Sequence, residues 1–83
     1  MIQDGEIEAA IRVRAAARPT SFCPSEIARA LAEDWRPLMP EIRRVAARMQ
    51  ADGNLTATQR GTPVIADEAR GPIRLQRPPP PPA

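Results

Sequence analysis

The stretch Phe22-Cys23-Pro24-Ser25-Glu26-Ile27-Ala28-Arg29-Ala30-Leu31, followed after a short break by Pro40-Glu41-Ile42-Arg43-Arg44-Val45-Ala46-Ala47-Arg48-Met49, decides the fold. It reads as two short helices with a tight connection. Pro24 suits a first helical position, where its missing N–H is not needed. Glu26 stands three residues after Cys23, the spacing of a capping box with a cysteine in the cap. Ile27, Ala30 and Leu31 supply the apolar side of the first helix. In the second, Ile42, Val45, Ala46 and Met49 recur at i, i+3, i+4 and i+7. Pro37 and Pro40 break any helix through the connection, and Trp35, Leu38 and Met39 make it apolar enough to plug into a core.

Working outward, the second helix is expected over 40–52. Gly53 stops it, with Asn54 as a further turn former. Leu55 to Gln59 alternates at period two, as a half-buried strand does. Arg60-Gly61-Thr62-Pro63 reads as a turn, Val64-Ile65 as the start of a return, and Gly71 to Leu75 as the second long strand, with Pro72 marking an edge. Upstream, a helix is expected over 4–18. Asp4 would cap it, and Ile7, Ala10, Ile11 and Ala17 would form its apolar stripe. Thr20-Ser21-Phe22 is extended, because Pro24 disfavours helix just before it. Helix, helix, arginine-bearing helix, then hairpin is the order of a winged helix-turn-helix. The expected fold class is mainly α with a small β-hairpin (α+β), three helices plus a wing. The domain spans 1–77, and 78–83 form a disordered proline-rich tail.

With 83 residues the chain makes one small domain, with a thin stability margin. Fifteen alanines outnumber every large apolar type, so the expected core is compact and helical, with little room for a ligand pocket. No cofactor is expected. All 12 cations are arginine, permanently charged forks suited to phosphate or carboxylate. The net charge is only +2, but residues 1–41 hold five arginines against seven carboxylates, and residues 42–83 hold seven against three. Such asymmetry fits a domain with one anion-facing side. One cysteine excludes an intramolecular disulfide. With no leader pattern and no long apolar run, the reading is cytoplasmic and off the membrane.

Catalysis is poorly supported. There is no histidine and no tyrosine, so Cys23 lacks its usual base and no metal constellation exists. The stronger constellation lies on the helix over 40–52. At about 100° per residue, Arg44 and Arg48 share the face opposite Ile42, Val45 and Met49, with Arg43 on the flank beside Ala47. Glu41 would offset charge at Arg44, and Asp52 at Arg48. In a helix-turn-helix that face enters the major groove, where arginine reads guanine or grips phosphate. Arg60 and Arg70 flank the wing and Arg74 lies on its returning strand, of which Arg60 and Arg74 are candidate backbone contacts. The bland alternative for all of them is a solvated surface. Trp35 is read as a core plug, and with Phe22 as the one other large aromatic, stacking on single strands is disfavoured.

The chain resembles a small bacterial family of uncharacterised proteins with a winged-helix-like fold. The residues that carry the resemblance are Cys23 to Glu26 with Ala28 to Leu31, then Trp35-Arg36 with Leu38-Met39-Pro40. Arg43, Gly53, Gln59-Arg60-Gly61 and Gly71-Pro72-Ile73-Arg74 complete it. It covers roughly Ile7 to Leu75 and implies a fold without an established activity.

Two functions remain open. One is a nucleic-acid-binding domain, of the kind a small transcriptional regulator carries, on double-stranded DNA through Arg43, Arg44, Arg48, Arg60 and Arg74, with the helix over 40–52 in the groove and the wing over 54–75 on the backbone. The other is a protein-interaction module on the same scaffold. Either fits a monomer or a homodimer.

Overall fold

Leu75 sits between two antiparallel partners, and that arrangement ties the start of the chain to its end. On one side it pairs with Ala57; on the other it exchanges both backbone hydrogen bonds with Phe22, each 2.8 Å long. The computed structural model describes residues 2–79. Three helices, α1 (Asp4–Ala17), α2 (Pro24–Leu31) and α3 (Met39–Ala51), precede three short strands, β1 (Thr56–Gln59), β2 (Thr62–Pro63) and β3 (Arg74–Gln76). The sheet order is β2-β1-β3, all antiparallel, and Phe22 extends it beyond β3. This is an α+β fold, and its order is consistent with a winged helix-turn-helix. The part of the tail over 80–83 lies outside the described residues.

Local chemistry explains most boundaries. Glu26 reaches back to the Cys23 N–H at 3.0 Å, so the carboxylate half of the capping box forms. The cysteine thiol also accepts from Ser25 Oγ at 3.0 Å. α1 is capped by Gln3 and not by Asp4, which is its first helical residue; the Gln3 N–H donates to Glu6 at 3.3 Å. A 3-10 turn over Arg36–Leu38 feeds directly into α3. At the far end of α3 the Gly53 N–H meets the Gln50 carbonyl at 3.0 Å and the Asn54 N–H the Met49 carbonyl at 2.9 Å. With Gly53 at φ 78°, this is the Schellman stop, closing two carbonyls the helix leaves open.

The core gathers one face from each element: Ile7 and Ile11 of α1, Ile27 of α2, Ile42, Val45 and Met49 of α3, with Phe22, Leu55, Ile73 and Leu75 from the sheet side, all buried. No polar or charged side chain among the described residues is buried. Removing the side chain of Ile11 or Ile42 down to alanine would cost about 2–5 kcal/mol, a large share of a small domain's stability. Two alanine assignments are corrected. Ala15, not Ala17, completes the α1 stripe, and Ala28, not Ala30, is buried on α2. Trp35 is half-buried against the core, and its ring carries the Arg29 and Arg36 guanidinium carbons, each 4.7 Å from the centroid.

The hairpin differs in detail from its expected form. β2 is two residues at Thr62–Pro63 and does not reach Val64-Ile65, while β3 begins at Arg74, after Pro72. Gln59 faces Thr62 across a two-residue loop. Both loop residues have positive φ, Arg60 at 52° and Gly61 at 81°, the signs a type I′ turn requires. Glycine meets that demand freely; arginine in the left-handed region costs about 1–2 kcal/mol.

Candidate nucleic-acid interface

Arg43 leaves the flank of α3 toward the wing. Its Nη1 donates to the Ala69 carbonyl at 2.8 Å and its Nη2 to the Gly71 carbonyl at 2.6 Å. The guanidinium is therefore a clamp between helix and loop, with both terminal nitrogens engaged by backbone.

Arg44 and Arg48 lie on the same side of α3, each about half-exposed (49%). Opposite them α1 presents Asp4 and Glu8, also four residues apart. Arg44 binds Asp4 bidentately, Nη1 to Oδ2 at 3.0 Å and Nη2 to Oδ1 at 2.8 Å, and its Nη2 also reaches Glu41 at 2.6 Å. Arg48 Nη2 reaches Glu8 at 3.1 Å, and its Nη1 stands 3.8 Å from Asp4. Among the described residues Arg48 is offset by Glu8 and Asp4, not by the expected Asp52. The Arg44 hydrogen bonds hold the Asp4 carboxyl below its ordinary range. Hydrogen bonds from Arg12 and then Arg48 lower Glu8, and the Asp4 and Glu41 carboxylates raise Arg44 further above its already high value. The arginines are exposed and Asp4 and Glu8 only partly buried, a setting where ion pairs contribute little and are readily exchanged for another anion.

The wing is pinned from below by amide side chains. Gln50 of α3 donates to the Val64 carbonyl and accepts from the Ala66 N–H, both at 2.8 Å. Gln59 of β1 donates to the carbonyls of Arg70 and, at 3.2 Å, of Pro72. Together with the Arg43 clamp these bonds hold the segment over 64–72, which has no ladder of its own. Gly71, at φ 85°, is the residue that lets the loop turn there. The Gly71-Pro72-Ile73-Arg74 segment thus shapes the wing and delivers Arg74 to β3. Arg74 is drawn toward Ser21, its Nε donating to Oγ at 3.0 Å and its Nη2 to the carbonyl at 2.8 Å.

This pinned loop and the hairpin turn enclose a concavity of about 710 Å³ lined by Gln59, Arg60, Arg70 and Arg74, with no carboxylate in its lining. Arg60 and Arg70 are exposed, and their guanidiniums make no hydrogen bond or ion pair among the described residues. The structure therefore gathers Arg60 and Arg74 and adds Arg70, while Arg44 and Arg48 form a separate group against α1 and Arg43 is spent on the loop.

A family model matches residues 4–78. The chain belongs to the DUF3253 family. That family is described as proteins of unknown function, so membership assigns no activity. Among curated proteins none matches the chain. No helix of the described residues is long and apolar enough to cross a membrane.

Three functional features escape a reading along the chain. The clamp by Arg43 ends on backbone carbonyls, which carry no residue signature. Gln50 and Gln59 look like ordinary polar positions. The match of Asp4 and Glu8 to Arg44 and Arg48 does leave a trace, two i, i+4 pairs of opposite sign, but only helix packing shows that they meet.

Proposed function

We propose that this DUF3253 domain binds double-stranded DNA, with the helix over 40–52 at the major groove and the wing over 54–75 on the backbone. It is a binding role and not a catalytic one. The observation that carries it is the gathering of Arg60, Arg70 and Arg74 on the wing with no carboxylate among the lining residues. The Arg60 and Arg70 forks, left without an internal partner among the described residues, suit phosphate oxygens, with Arg74 shared with Ser21. Arg44 and Arg48 add to the reading because their carboxylate partners are only partly buried and displaceable. Arg43 supports it by positioning the loop.

Fluorescence anisotropy with random-sequence duplex at about 50 and about 200 mM salt tests the reading. With about four or five phosphates neutralised, log affinity falls against log salt with a slope near −4. A slope near zero for any observed binding sinks it.

A second reading, a protein-interaction module, is favoured by an apolar groove of about 470 Å³ between the end of α3 and the hairpin. Ala47, Ala51, Leu55, Pro63 and Val64 line it, and Ile65 at its edge is 48% exposed. This reading predicts no binding to DNA of any sequence at low salt, and a co-purifying protein that Ile65→Ser releases. Retention of that protein by Ile65→Ser counts against the groove.

A further inference from the structure

We infer that the concavity of the wing is a built seat for a phosphoryl group, with Arg60 and Arg70 as its principal ligands and Arg74 at its rim. This deepens the DNA reading, with which it shares the premise that the wing faces phosphate, but it concerns a discrete site.

Four observations converge. First, arginines line the concavity from three separate places, the turn after β1, the pinned loop and β3, the Arg74 guanidinium itself being turned to Ser21. A tetrahedral, multiply charged oxyanion can be met from three directions, whereas one carboxylate satisfies a single planar fork. Second, the lining holds no acid, so Arg60 and Arg70 meet no carboxylate there. Third, the loop is fixed by Arg43 and Gln59 through the carbonyls of Ala69, Arg70, Gly71 and Pro72. Four carbonyls turned to side-chain donors hold the backbone that carries Arg70 in one place, the preorganisation a binding site needs. Fourth, Arg60 occupies the left-handed region at φ 52° where glycine or asparagine would sit without strain. Strain held in an exposed turn points to a use for that side chain.

The phosphoryl group could come from a nucleic-acid backbone or from a small free phosphate, and two probes separate these. The full chain, isotopically labelled, is titrated with sodium pyrophosphate, with sodium acetate at matched ionic strength as comparator. Amide and arginine Nε–H shifts are followed by NMR, and duplex DNA is followed by anisotropy. The expected result is a saturable response to pyrophosphate confined to residues 59–62 and 69–74, with acetate producing none. Arg70→Gln weakens it by about tenfold, and Arg70→Lys, which keeps the charge and loses the fork, by less. Arg12→Gln, outside the concavity, leaves it unchanged. Retained spectra of the variants show that they fold.

If Arg60→Gln/Arg70→Gln also weakens DNA binding and pyrophosphate competes with the duplex, the backbone is a source of the group. Pyrophosphate seated on the wing with no DNA binding upholds the seat and removes the DNA reading. DNA binding that the double variant leaves unchanged, with no saturable pyrophosphate response, overturns the seat and leaves the DNA reading standing. An equal response to acetate, or shifts spread over all arginines without saturation, overturns the seat outright.

Discussion

The arginines of α3 and those of the wing make opposite use of the same side chain. On α3, Arg43 is committed to two carbonyls, and Arg44 and Arg48 face carboxylates of α1. On the wing, Arg60 and Arg70 line a concavity that holds no carboxylate. Charge counted along the chain places the positive end in residues 42–83 and cannot separate the two groups. What separates them is tertiary packing: α1 lies against α3 and delivers an acidic row to it, whereas the wing's own acids, Asp67 and Glu68, do not line its concavity. A cation's availability to an outside anion is thus set by what the fold lays against it. The α3 row would exchange internal partners for external ones, while the wing would gain partners it lacks.

The comparison breaks most severely at Arg43, which links its two halves. Arg43→Ala removes two charge-assisted bonds and leaves the carbonyls of Ala69 and Gly71 to water. The expected loss is about 2 kcal/mol of unfolding free energy, read from urea midpoints. Hydrogen exchange over 66–71 should accelerate beyond that global change, because the loop opens locally. Loop protection that tracks global stability alone would show that Gln50 and Gln59 suffice to hold the wing.

Next in size is the release of the α3 row. Asp4→Asn/Glu8→Gln strips Arg48 of its carboxylate partners and leaves Arg44 with Glu41. On the DNA reading, affinity at low salt should rise by about three- to tenfold and the salt slope steepen by up to about two. Unchanged affinity and slope would mean that α3 stays out of the contact and the wing acts alone.

Acid should reveal the internal pairs directly. Asp4, Glu8 and Glu26 all have lowered carboxyl pKa values, Glu26 chiefly through the Cys23 N–H and then through Arg18 and Arg14. The unfolded chain therefore takes up protons first as pH falls. Their contribution is fully present above the ordinary carboxylate values near 4 and is lost as pH falls through the lower folded values. Urea midpoints at about pH 5 and about pH 3 should show the fall. It should be smaller in Asp4→Asn/Glu8→Gln, and an identical fall in both proteins would place the acid sensitivity elsewhere.

How far these features can be read from the chain depends on the range of the interaction that makes them. Helix starts and stops are legible because their causes are local: Pro24 and Glu26 at one end of α2, Gly53 and Asn54 after α3. The core stripes are legible within about one residue, because isoleucine, valine and methionine recur there at helical spacing, although Val13 of α1 stays exposed. Alanine is the exception. It tolerates both sides of a helix, so Ala28 and Ala30, or Ala15 and Ala17, exchange roles without a signal. The cap of α1 is misread because Asp4 is a better cap than Gln3 in isolation, but here its carboxylate is held by Arg44, forty positions away in the chain. The site suffers most, since its decisive bonds span long separations and end on carbonyls.

The smallest effect tests the comparison from the wing side. Arg60 occupies the first position of a two-residue turn where asparagine before glycine is the favoured pair. Arg60→Asn keeps the turn and relieves the left-handed strain on a long side chain. It should raise stability by about 0.5–1 kcal/mol, a shift in urea midpoint with an unchanged slope. The same substitution removes one cation from the wing, so the DNA salt slope should become shallower by about 0.9. A more stable protein that binds less well is the signature of a residue kept for contact at the expense of the turn. If Arg60→Asn is neutral or destabilising, the turn was not strained, and Arg70 alone would carry the argument for the seat. If stability rises and binding is unchanged, Arg60 is a solvated turn residue, and the contrast between the two arginine groups rests on Arg70 and Arg74.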